Sequence, residues 1–194
     1  MKVNEIFYSL QGEGLQAGTP AVFVRLSGCN LQCPFCDTVH DSGREMSEAE
    51  VVAEVKRHAA TLVVMTGGEP SLQLTASLVD ALHAAGRTVA VETNGTHPLP
   101  EGVDWVTLSP KDPWLGRQAA PVLREADELK LVYDGSFEPQ EYKHIRIRHG
   151  RLLQPCDTGD AERNADVMRR TVDYCLAHPQ WRLSLQVHKI LNIR

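Results

Sequence analysis

Short apolar segments typical of β-strands alternate along this chain with amphipathic segments typical of helices, and this alternation restricts the fold more than any other feature. β-Branched and aromatic runs favour strands, whereas apolar residues at every third or fourth position favour helices. Strands separated by helices form parallel sheets with right-handed crossovers. The predicted strands cover residues 21–26, 62–65, 88–91, 105–108, 129–133, 152–153 and 183–191, and the predicted helices cover 47–59, 72–85 and 160–178.

The length of the chain, 194 residues, limits the choice among α/β folds. A closed eight-stranded β/α barrel typically needs ~250 residues. An incomplete TIM-type β/α barrel of about six parallel strands, or an open α/β sheet, therefore remains. We predict one domain over residues 1–194, because domains commonly hold ~100–200 residues.

Composition argues against several classes of function. Lysine plus arginine total 20 and aspartate plus glutamate total 25, so the net charge is −5. Broad nucleic-acid binding normally needs a basic face. No segment approaches the ~20 apolar residues of a membrane span, and residues 1–5 contain no apolar signal-peptide core. We therefore expect a cytoplasmic protein.

Polar and glycine-containing turns follow the predicted strands. In parallel α/β folds, ligands bind at the carboxyl ends of the strands, so these turns predict a shared binding site. Turns collect glycine, proline, serine and asparagine in any protein, which is the alternative for each turn taken alone. The turns are Cys29, Gly67-Gly68-Glu69, Glu92-Thr93-Asn94, Ser109-Pro110-Lys111 and Gln154-Pro155.

Three of the five cysteines fall within eight residues, as Cys29-x-x-x-Cys33-x-x-Cys36. An odd cysteine count without a secretion signal disfavours a disulfide framework. Structural zinc usually takes four protein ligands, whereas three thiolates on a four-iron cluster leave one iron without a protein ligand. We predict a 4Fe–4S cluster. The alternatives are free cysteines, or a zinc site that borrows a distant histidine or cysteine.

This cysteine loop resembles that of the radical S-adenosylmethionine (SAM) superfamily. Gly67-Gly68-Glu69-Pro70 is similar to the superfamily's glycine-rich turn, which receives the amino group of SAM. The resemblance implies a partial barrel as the radical SAM core, with the open iron chelating SAM. It also implies that an electron from the cluster cleaves SAM to methionine and a 5′-deoxyadenosyl radical. The protein then orients and shields its cofactors.

Segments along nearly the whole chain closely resemble the 7-carboxy-7-deazaguanine synthase family. They are residues 5–14, 66–70, 92–95, 109–111, 154–155 and 188–190. The resemblance implies a carbon–nitrogen lyase that converts 6-carboxy-5,6,7,8-tetrahydropterin to 7-carboxy-7-deazaguanine, with ring contraction and loss of ammonia, in 7-deazapurine and queuosine biosynthesis. It also implies hydrogen removal from C6 of the pterin, regeneration of SAM, a Mg²⁺ requirement, a homodimer and a flavodoxin-type electron donor.

The same resemblance implies the residues that hold substrate and Mg²⁺. Arg25 matches the family position that binds the substrate carboxylate, for which a guanidinium is well suited. An ion pair at the strand end is the alternative for Arg25. Thr38 matches the Mg²⁺ ligand, and Mg²⁺ readily shares water and substrate oxygens. The other substrate contacts implied are Leu10, Gln11, Gly12, Thr66 and the main-chain carboxylate of Arg194.

The SAM contacts implied by the resemblance lie on four segments. They are Phe35, Cys36 and Asp37; Gly68; Ser109, Pro110 and Lys111; and Gln154, Pro155, Cys156 and Asp157. Relatives often carry Gln-Pro-Met-Asp at the last segment, so Cys156 is a departure from the family pattern. As a fourth iron ligand Cys156 would block SAM, and we do not expect that role. Cys175 lies in a predicted amphipathic helix and is expected to be a buried small residue.

Two other interpretations of the motifs remain. An activase that installs a glycyl radical on a partner protein would share the cysteine loop, and a non-catalytic iron–sulfur or zinc module would bind metal without cleaving SAM. The alternating segment 144–149 predicts an edge or half-exposed strand. A docking face for a flavodoxin-type reductant is the alternative for that segment.

Overall fold

A computed structural model describes all 194 residues and contains one nine-stranded sheet with helices packed against it. The sheet order is β3-β1-β2-β4-β5-β6-β7-β8-β9. The strands are β1 Lys2–Leu10, β2 Pro20–Leu26, β3 Arg44–Glu45, β4 Leu62–Gly67, β5 Thr88–Thr93, β6 Trp105–Leu108, β7 Glu125–Tyr133, β8 Arg146–Pro155 and β9 Trp181–Leu183. The helices are α1 Glu48–Val55, α2 Ala76–Ala84, α3 Asp112–Leu115, α4 Ala161–Ala177 and α5 Val187–Leu191.

Strand direction confirms the predicted α/β class. From β2 through β4 to β9, each strand is parallel to the next, which makes seven parallel strands. Strand β1 is antiparallel to β2 and β3. Beyond β2 the strands follow one another in chain order across the sheet, as in a barrel, but β3 and β9 do not meet. The fold is therefore a partial barrel and not a closed one.

Side chains on the central strands alternate between two environments, and this alternation creates the site. On β2, Val22 and Val24 are fully buried in the core beneath the helices, together with Leu78 and Leu82 of α2. The residues between them, Ala21 and Phe23, face the inside of the barrel. Because successive strand residues point to opposite faces, the next inward position along β2 is residue 25, at the carboxyl end of the strand.

Helix α1 begins where the sequence predicts it, but helix α2 does not. Ser47 and Glu50 form both hydrogen bonds of a capping box at the start of α1. Helix α2 begins later than predicted, after Thr75, whose hydroxyl accepts a hydrogen bond from Leu78 N. Leu72, the predicted first residue of that helix, instead ends a separate 3₁₀ turn over Pro70–Leu72. None of the helices is long and apolar enough to cross a membrane.

The predicted last strand over residues 183–191 is wrong. Strand β9 ends at Leu183, and Val187–Leu191 is the short helix α5. Alternating Leu183, Leu185 and Val187 imitate a strand, but Val187, Ile190 and Leu191 also have the spacing of a helix face. The amide of Val187 donates to Gly12 O, so α5 lies across the barrel mouth.

Residues 146–149 of the segment 144–149 form the start of β8 and are partly exposed, as predicted, whereas His144 and Ile145 precede the strand. Strand β9 pairs only with Arg151–Leu153 of β8, so the first half of β8 has a free edge. This half is the amino end of a parallel strand. It therefore lies at the end of the barrel opposite the turns that follow the strands.

Candidate active site

One cavity of about 550 Å³ opens at the carboxyl ends of the parallel strands. Its wall includes the side chains that the sequence singles out on β1, β2 and β4 and in the loops after β2, β4, β6 and β8. Pro110 is the exception, because it is buried outside the cavity. The predicted residues that line the cavity are Leu10, Gln11, Gly12, Arg25, Cys29, Cys33, Phe35, Cys36, Asp37, Thr38, Thr66, Gly68, Ser109, Lys111, Gln154, Pro155, Cys156, Asp157 and Arg194.

The cysteine loop leaves the end of β2 and presents three free thiols to the cavity. The amide of Leu31 donates to Cys29 Sγ at 3.4 Å, so backbone geometry orients the first thiol. Burial raises the pKa of the Cys29 and Cys33 thiols, and the positive charge of Lys111 opposes that rise. Lys111 thus favours the thiolate form that iron binds.

The three thiols suit a multi-iron cluster better than a single ion. No three histidine, cysteine, aspartate or glutamate side chains converge closely enough to hold one metal ion. Tetrahedral zinc draws its sulfur ligands to one centre, whereas an iron–sulfur cluster takes each thiolate on a different iron. The donor set therefore fits a 4Fe–4S cluster with three protein ligands, and the zinc alternative has no support in this geometry.

Cys156 lies in the turn after β8, on a different element from that loop. It is buried, and its thiol lies 3.8 Å from the carbonyl oxygen of Asp157. Burial raises the pKa of the Cys156 thiol, and its charged neighbours are Asp134, Asp157, Arg163 and Lys189 rather than the three loop thiols. That Cys156 is not the fourth iron ligand stays a prediction.

The glycine turn after β4 is braced against the start of the cysteine loop. The amide of Glu69 donates to Gly28 O at 2.9 Å. A Cβ atom on Gly68 would lie 1.8 Å from the same oxygen, so only glycine fits there. The Glu69 carboxylate is buried and accepts hydrogen bonds from Thr93 Oγ1 at 2.6 Å and Asn94 N at 2.8 Å. Glu69 therefore fixes the glycine turn to the neighbouring turn after β5.

Lys111 and Ser109 form a compact polar unit in the turn after β6. The Lys111 ammonium donates to the carbonyl oxygen of Ser109 at 2.5 Å and to its hydroxyl at 2.6 Å. Burial lowers the pKa of Lys111. Lys111 is therefore not a freely solvated surface lysine.

Arg25 projects into the cavity from the end of β2. Its Nε lies 2.9 Å from Glu5 Oε1, and its Nη1 donates to Thr38 Oγ1 at 3.3 Å. The alternative prediction of a strand-end ion pair is therefore correct. The predicted Mg²⁺ ligand also lies directly beside the guanidinium.

Arg194 reaches the same corner from the other end of the chain. Its guanidinium pairs with Glu5 and lies over the ring of Phe7, 5.0 Å from the centroid. Arg25 lies over the same ring at 5.6 Å. The main-chain oxygen of Arg194 accepts a hydrogen bond from Ser9 Oγ at 2.5 Å. Two guanidinium groups therefore converge on one carboxylate.

A buried ion cluster that sequence reasoning missed forms the inner wall of the cavity. Glu92 Oε1 accepts from Gln11 Nε2 at 3.0 Å, and Glu92 Oε2 accepts from Thr66 Oγ1 at 3.1 Å. Lys130 Nζ lies 2.5 Å from Glu13 Oε2 and 3.5 Å from Glu92 Oε1. Two predicted substrate contacts are thus held by a carboxylate for which the sequence predicted no role.

The signal for this cluster is present in the sequence but ambiguous. Glu13 lies within the segment 5–14, and Glu92 begins the segment 92–95, so both belong to motifs of the site. Lys130 lies between Leu129 and Leu131, which resembles the polar face of an ordinary half-exposed strand. Only the pairing of β7 with the other parallel strands turns Lys130 inward.

Helix α5 links the cysteine loop to the turn after β8. Lys189 Nζ lies 2.6 Å from Asp157 Oδ2 and 3.2 Å from Asp37 Oδ2. Gln186 donates to Glu13 at 3.0 Å. The hydrogen bond from Lys189 is the largest cause that lowers the pKa of Asp157. Both predicted SAM-contacting aspartates are therefore joined by one lysine.

Comparisons with known proteins agree with this geometry. The family model described as the radical SAM superfamily matches residues 23–113. The 7-carboxy-7-deazaguanine synthase of Bacteroides thetaiotaomicron is 50% identical over 193 residues, covering 100% of this chain and 98% of that protein. The synthase of Nitratidesulfovibrio vulgaris is 44% identical, covering 99% and 98%. The crystal structure of QueE from Escherichia coli is similar with a TM-score of 0.71 and 29% identity, covering 96% of this chain and 94% of that one.

Proposed function

Because the chain belongs to the 7-carboxy-7-deazaguanine synthase family of radical SAM enzymes, we propose that its cavity holds an iron–sulfur cluster, SAM and a carboxylated tetrahydropterin side by side. The enzyme is a carbon–nitrogen lyase that converts 6-carboxy-5,6,7,8-tetrahydropterin to 7-carboxy-7-deazaguanine, with ring contraction and loss of ammonia, in 7-deazapurine and queuosine biosynthesis. This membership leaves the glycyl-radical activase and the non-catalytic module without support.

The observation that carries the proposal is the pairing of two unlike groups of residues on one cavity wall. Cys29, Cys33 and Cys36 lie on the loop that follows β2, and Arg25 lies one residue before the end of that strand. A redox group and a carboxylate-binding group are therefore fixed by the same short segment. Such proximity suits a reaction in which a radical must reach a carboxylated substrate directly.

Cys29, Cys33 and Cys36 would hold the cluster, and their geometry leaves one iron for SAM. When bound, the cluster and SAM together supply the 5′-deoxyadenosyl radical that starts the reaction. We assign SAM contacts to the walls on either side of the loop. These are Phe35, Cys36, Asp37, Gly68, Ser109, Lys111, Gln154, Pro155, Cys156 and Asp157, with buried Pro110 fixing the Ser109–Lys111 turn.

Arg25 would bind the substrate carboxylate in place of its present partner, Glu5. The exchange is one ion pair for another, so the guanidinium remains paired throughout. Thr38 lies within hydrogen-bonding distance of Arg25. A Mg²⁺ ion held by Thr38 would therefore lie beside the substrate carboxylate and share its oxygens, as Mg²⁺ commonly does with bound ligands.

The remaining substrate contacts line the wall next to Arg25. Leu10, Gln11 and Gly12 form the turn after β1, and Thr66 is the register partner of Arg25 on β4. The main chain of Arg194 closes the same corner through Ser9. Together these residues frame a flat, polar ligand between β1, β2 and β4.

The functional context of the chain is also part of the proposal. We propose that residues 1–194 act as one domain, in support of which one sheet runs through the chain. We further propose a homodimer in the cytoplasm, where reduced thiols persist.

A flavodoxin-type donor would approach the exposed Cys36 side of the cavity, because the Arg146–Arg148 strand start lies at the opposite end of the barrel.

The test is anaerobic reconstitution followed by product analysis. Protein supplied with iron, sulfide, SAM, Mg²⁺, a chemical reductant and 6-carboxytetrahydropterin should yield a product whose mass reflects the loss of ammonia. The same mixture without the pterin should release 5′-deoxyadenosine by uncoupled cleavage of SAM. The Cys36→Ala variant should yield neither. An intact cluster that cleaves SAM but leaves the pterin unchanged would contradict the substrate assignment. A cluster that never cleaves SAM would contradict the reaction class.

A further inference from the structure

Lys130 is a buried cation placed between two carboxylates on the inner wall of the cavity. Its side chain is 6% exposed. Its ammonium lies 2.5 Å from Glu13 and 3.5 Å from Glu92, which come from different parts of the barrel. Burial alone would lower the pKa of Lys130, but the charges of Glu13 and Glu92 raise it instead. Lys130 therefore stays charged and is not a proton donor at neutral pH.

The other titratable groups around this cluster have partners of their own. Glu128, two residues before Lys130 on β7, accepts hydrogen bonds from Leu15 N at 2.7 Å and Thr107 Oγ1 at 2.8 Å. Lys111 is engaged by Ser109. His188 of α5 packs against the Gly12 turn. One cation thus serves two carboxylates, and the Glu13–Lys130–Glu92 cluster carries a net charge of −1.

All four oxygens of the two carboxylates have a protein donor. Glu13 is held by Lys130 and Gln186, and Glu92 by Gln11, Thr66 and Lys130. An ionised carboxylate oxygen can accept more than one hydrogen bond. The two carboxylates therefore retain acceptor capacity, and both line the cavity.

We propose that Lys130 is a positioning residue that keeps Glu13 and Glu92 ionised and side by side as acceptors for the N–H donor edge of the pterin ring. The amino-pyrimidinone part of a pterin carries ring and exocyclic N–H donors, which match the two carboxylate acceptors. The inference rests on the proposed function and adds the means by which the ring, rather than the carboxylate, is recognised.

A purely structural role would not need a lysine at this place. Burying a charge costs free energy that apolar packing avoids, and well-packed apolar residues often replace buried ion pairs without loss of stability. Without the charge of Lys130, Glu13 and Glu92 would disfavour each other's ionisation, and one of them would retain a proton. A protonated carboxyl group would place a donor where the ligand also presents donors.

The test measures pterin affinity against pH in the cluster-loaded protein with SAM and without reductant, so that no turnover occurs. Lys130→Met keeps the length of the side chain and removes the charge. We expect this variant to bind the pterin at least ~10-fold more weakly than the wild type at about pH 6.5, the loss expected from one hydrogen bond to a charged group. The deficit should shrink as pH rises, because the shared proton is then lost.

Two further variants separate the outcomes. Lys130→Met combined with Glu13→Gln removes the like-charge pair, so we expect weaker binding than in the wild type but the same pH dependence as the wild type. Lys143→Met, at a position 82% exposed, should match the wild type throughout. The affinity of each variant is expressed as a ratio to that of the wild type at the same pH.

Two results would overturn the proposal. One is a Lys130→Met variant that binds the pterin as tightly as the wild type does, and the other is a variant whose affinity is reduced by the same factor at every pH. If Lys130→Met does not fold, the double variant should fold, because it removes the repulsion between the two carboxylates and restores the net charge of −1 that the cluster has in the wild type. If the double variant also fails to fold, Lys130 is a structural residue and the proposal is wrong. Absence of pterin binding in the wild type would instead contradict the proposed function, which keeps the two failures distinct.

Discussion

Glu5 and Arg25 are register partners on the antiparallel strands β1 and β2, and their side chains pair with 2.9 Å between Glu5 Oε1 and Arg25 Nε. A carboxylate of the protein thus engages the residue that we assign to the substrate carboxylate. Arg194 pairs with the same glutamate. Binding of substrate therefore replaces an existing ion pair rather than filling an unpaired guanidinium.

Removing the Arg25 guanidinium should weaken the binding of substrate. Arg25→Ala is expected to raise KM for the carboxytetrahydropterin by tens-fold, because a charge-assisted hydrogen bond contributes roughly 1.5–3 kcal/mol to the ground state and the transition state alike. Steady-state kinetics of the reconstituted enzyme measure this change, with Arg25→Lys as an intermediate variant. An unchanged KM would remove Arg25 from the substrate site.

Neutralising Glu5 should have the opposite effect. Glu5→Gln frees Arg25 from its competitor, and a partly exposed ion pair contributes about 0.2–1 kcal/mol. We therefore expect KM to fall by up to about 5-fold with kcat unchanged. Glu45→Gln, on an exposed side chain of β3, is the matched control and should leave both constants unchanged. A rise in KM for Glu5→Gln would mean that Glu5 orients Arg25 instead of competing for it.

The contact between Gly68 and Gly28 predicts a sensitive position in the SAM site. A Cβ on Gly68 would meet backbone atoms of Gly28 at 1.8 and 2.5 Å, so Gly68→Ala must displace the start of the cysteine loop. Overpacking of this kind typically costs about 1–3 kcal/mol. We expect reduced iron content and weaker SAM binding, measured by iron analysis and calorimetric titration.

Gly86→Ala is the control for that variant. Gly86 has a φ of +74°, but a Cβ atom added to it would have no other atom within 4 Å. Its substitution should therefore cost only the backbone strain, about 1–2 kcal/mol, and should leave iron content and SAM affinity unchanged. Normal SAM binding by Gly68→Ala would show that the glycine turn does not constrain the loop.

Glu13 should make stability depend on acid pH. Burial alone would raise the pKa of its carboxyl group, but Lys130, through its charge and a hydrogen bond, together with hydrogen bonds from Gln154 and Gln186 lowers it to about 2 from 4.5. A lowered folded-state pKa stabilises the protein above the unfolded pKa, and this stability is lost as pH falls from 4.5 towards about 2. The full shift corresponds to about 3 kcal/mol.

The Glu13→Gln variant isolates this effect. The difference in the free energy of unfolding between the wild type and Glu13→Gln should be largest near neutral pH and should shrink as pH falls below about 5. Urea unfolding followed by tryptophan fluorescence at several pH values measures it. A difference that stays constant across this range would contradict the Lys130 pairing.

The sequence predicts the central sheet because its strands carry the periodicity of their environment. Val22, Val24, Val63 and Met65 face the helices, while the residues between them face the barrel. The same alternation turns Arg25 and Thr66 into the cavity. The cysteine loop and the glycine turn were predictable because their chemistry depends on residues close together in the chain.

Contacts between distant segments were not predictable. Lys130 meets Glu13 across 117 positions of sequence, and the partner of a polar residue on a strand depends on sheet register rather than on local pattern. The predicted last strand failed for a related reason. Residues 183–191 fit the periodicity of a strand and that of a helix. The first residue of the helix, Val187, donates its amide to Gly12 O, a contact with a distant part of the chain that no local pattern reveals.

The whole proposed reaction depends on one iron of the cluster that has no protein ligand and can bind SAM. Electron paramagnetic resonance of the reduced cluster, recorded with and without SAM, tests this most directly. We predict that SAM changes the spectrum of the wild type, that Cys156→Ala behaves identically, and that Cys29→Ala loses the signal. A spectrum that saturating SAM leaves unchanged, or one that Cys156→Ala alters before SAM is added, would contradict this coordination.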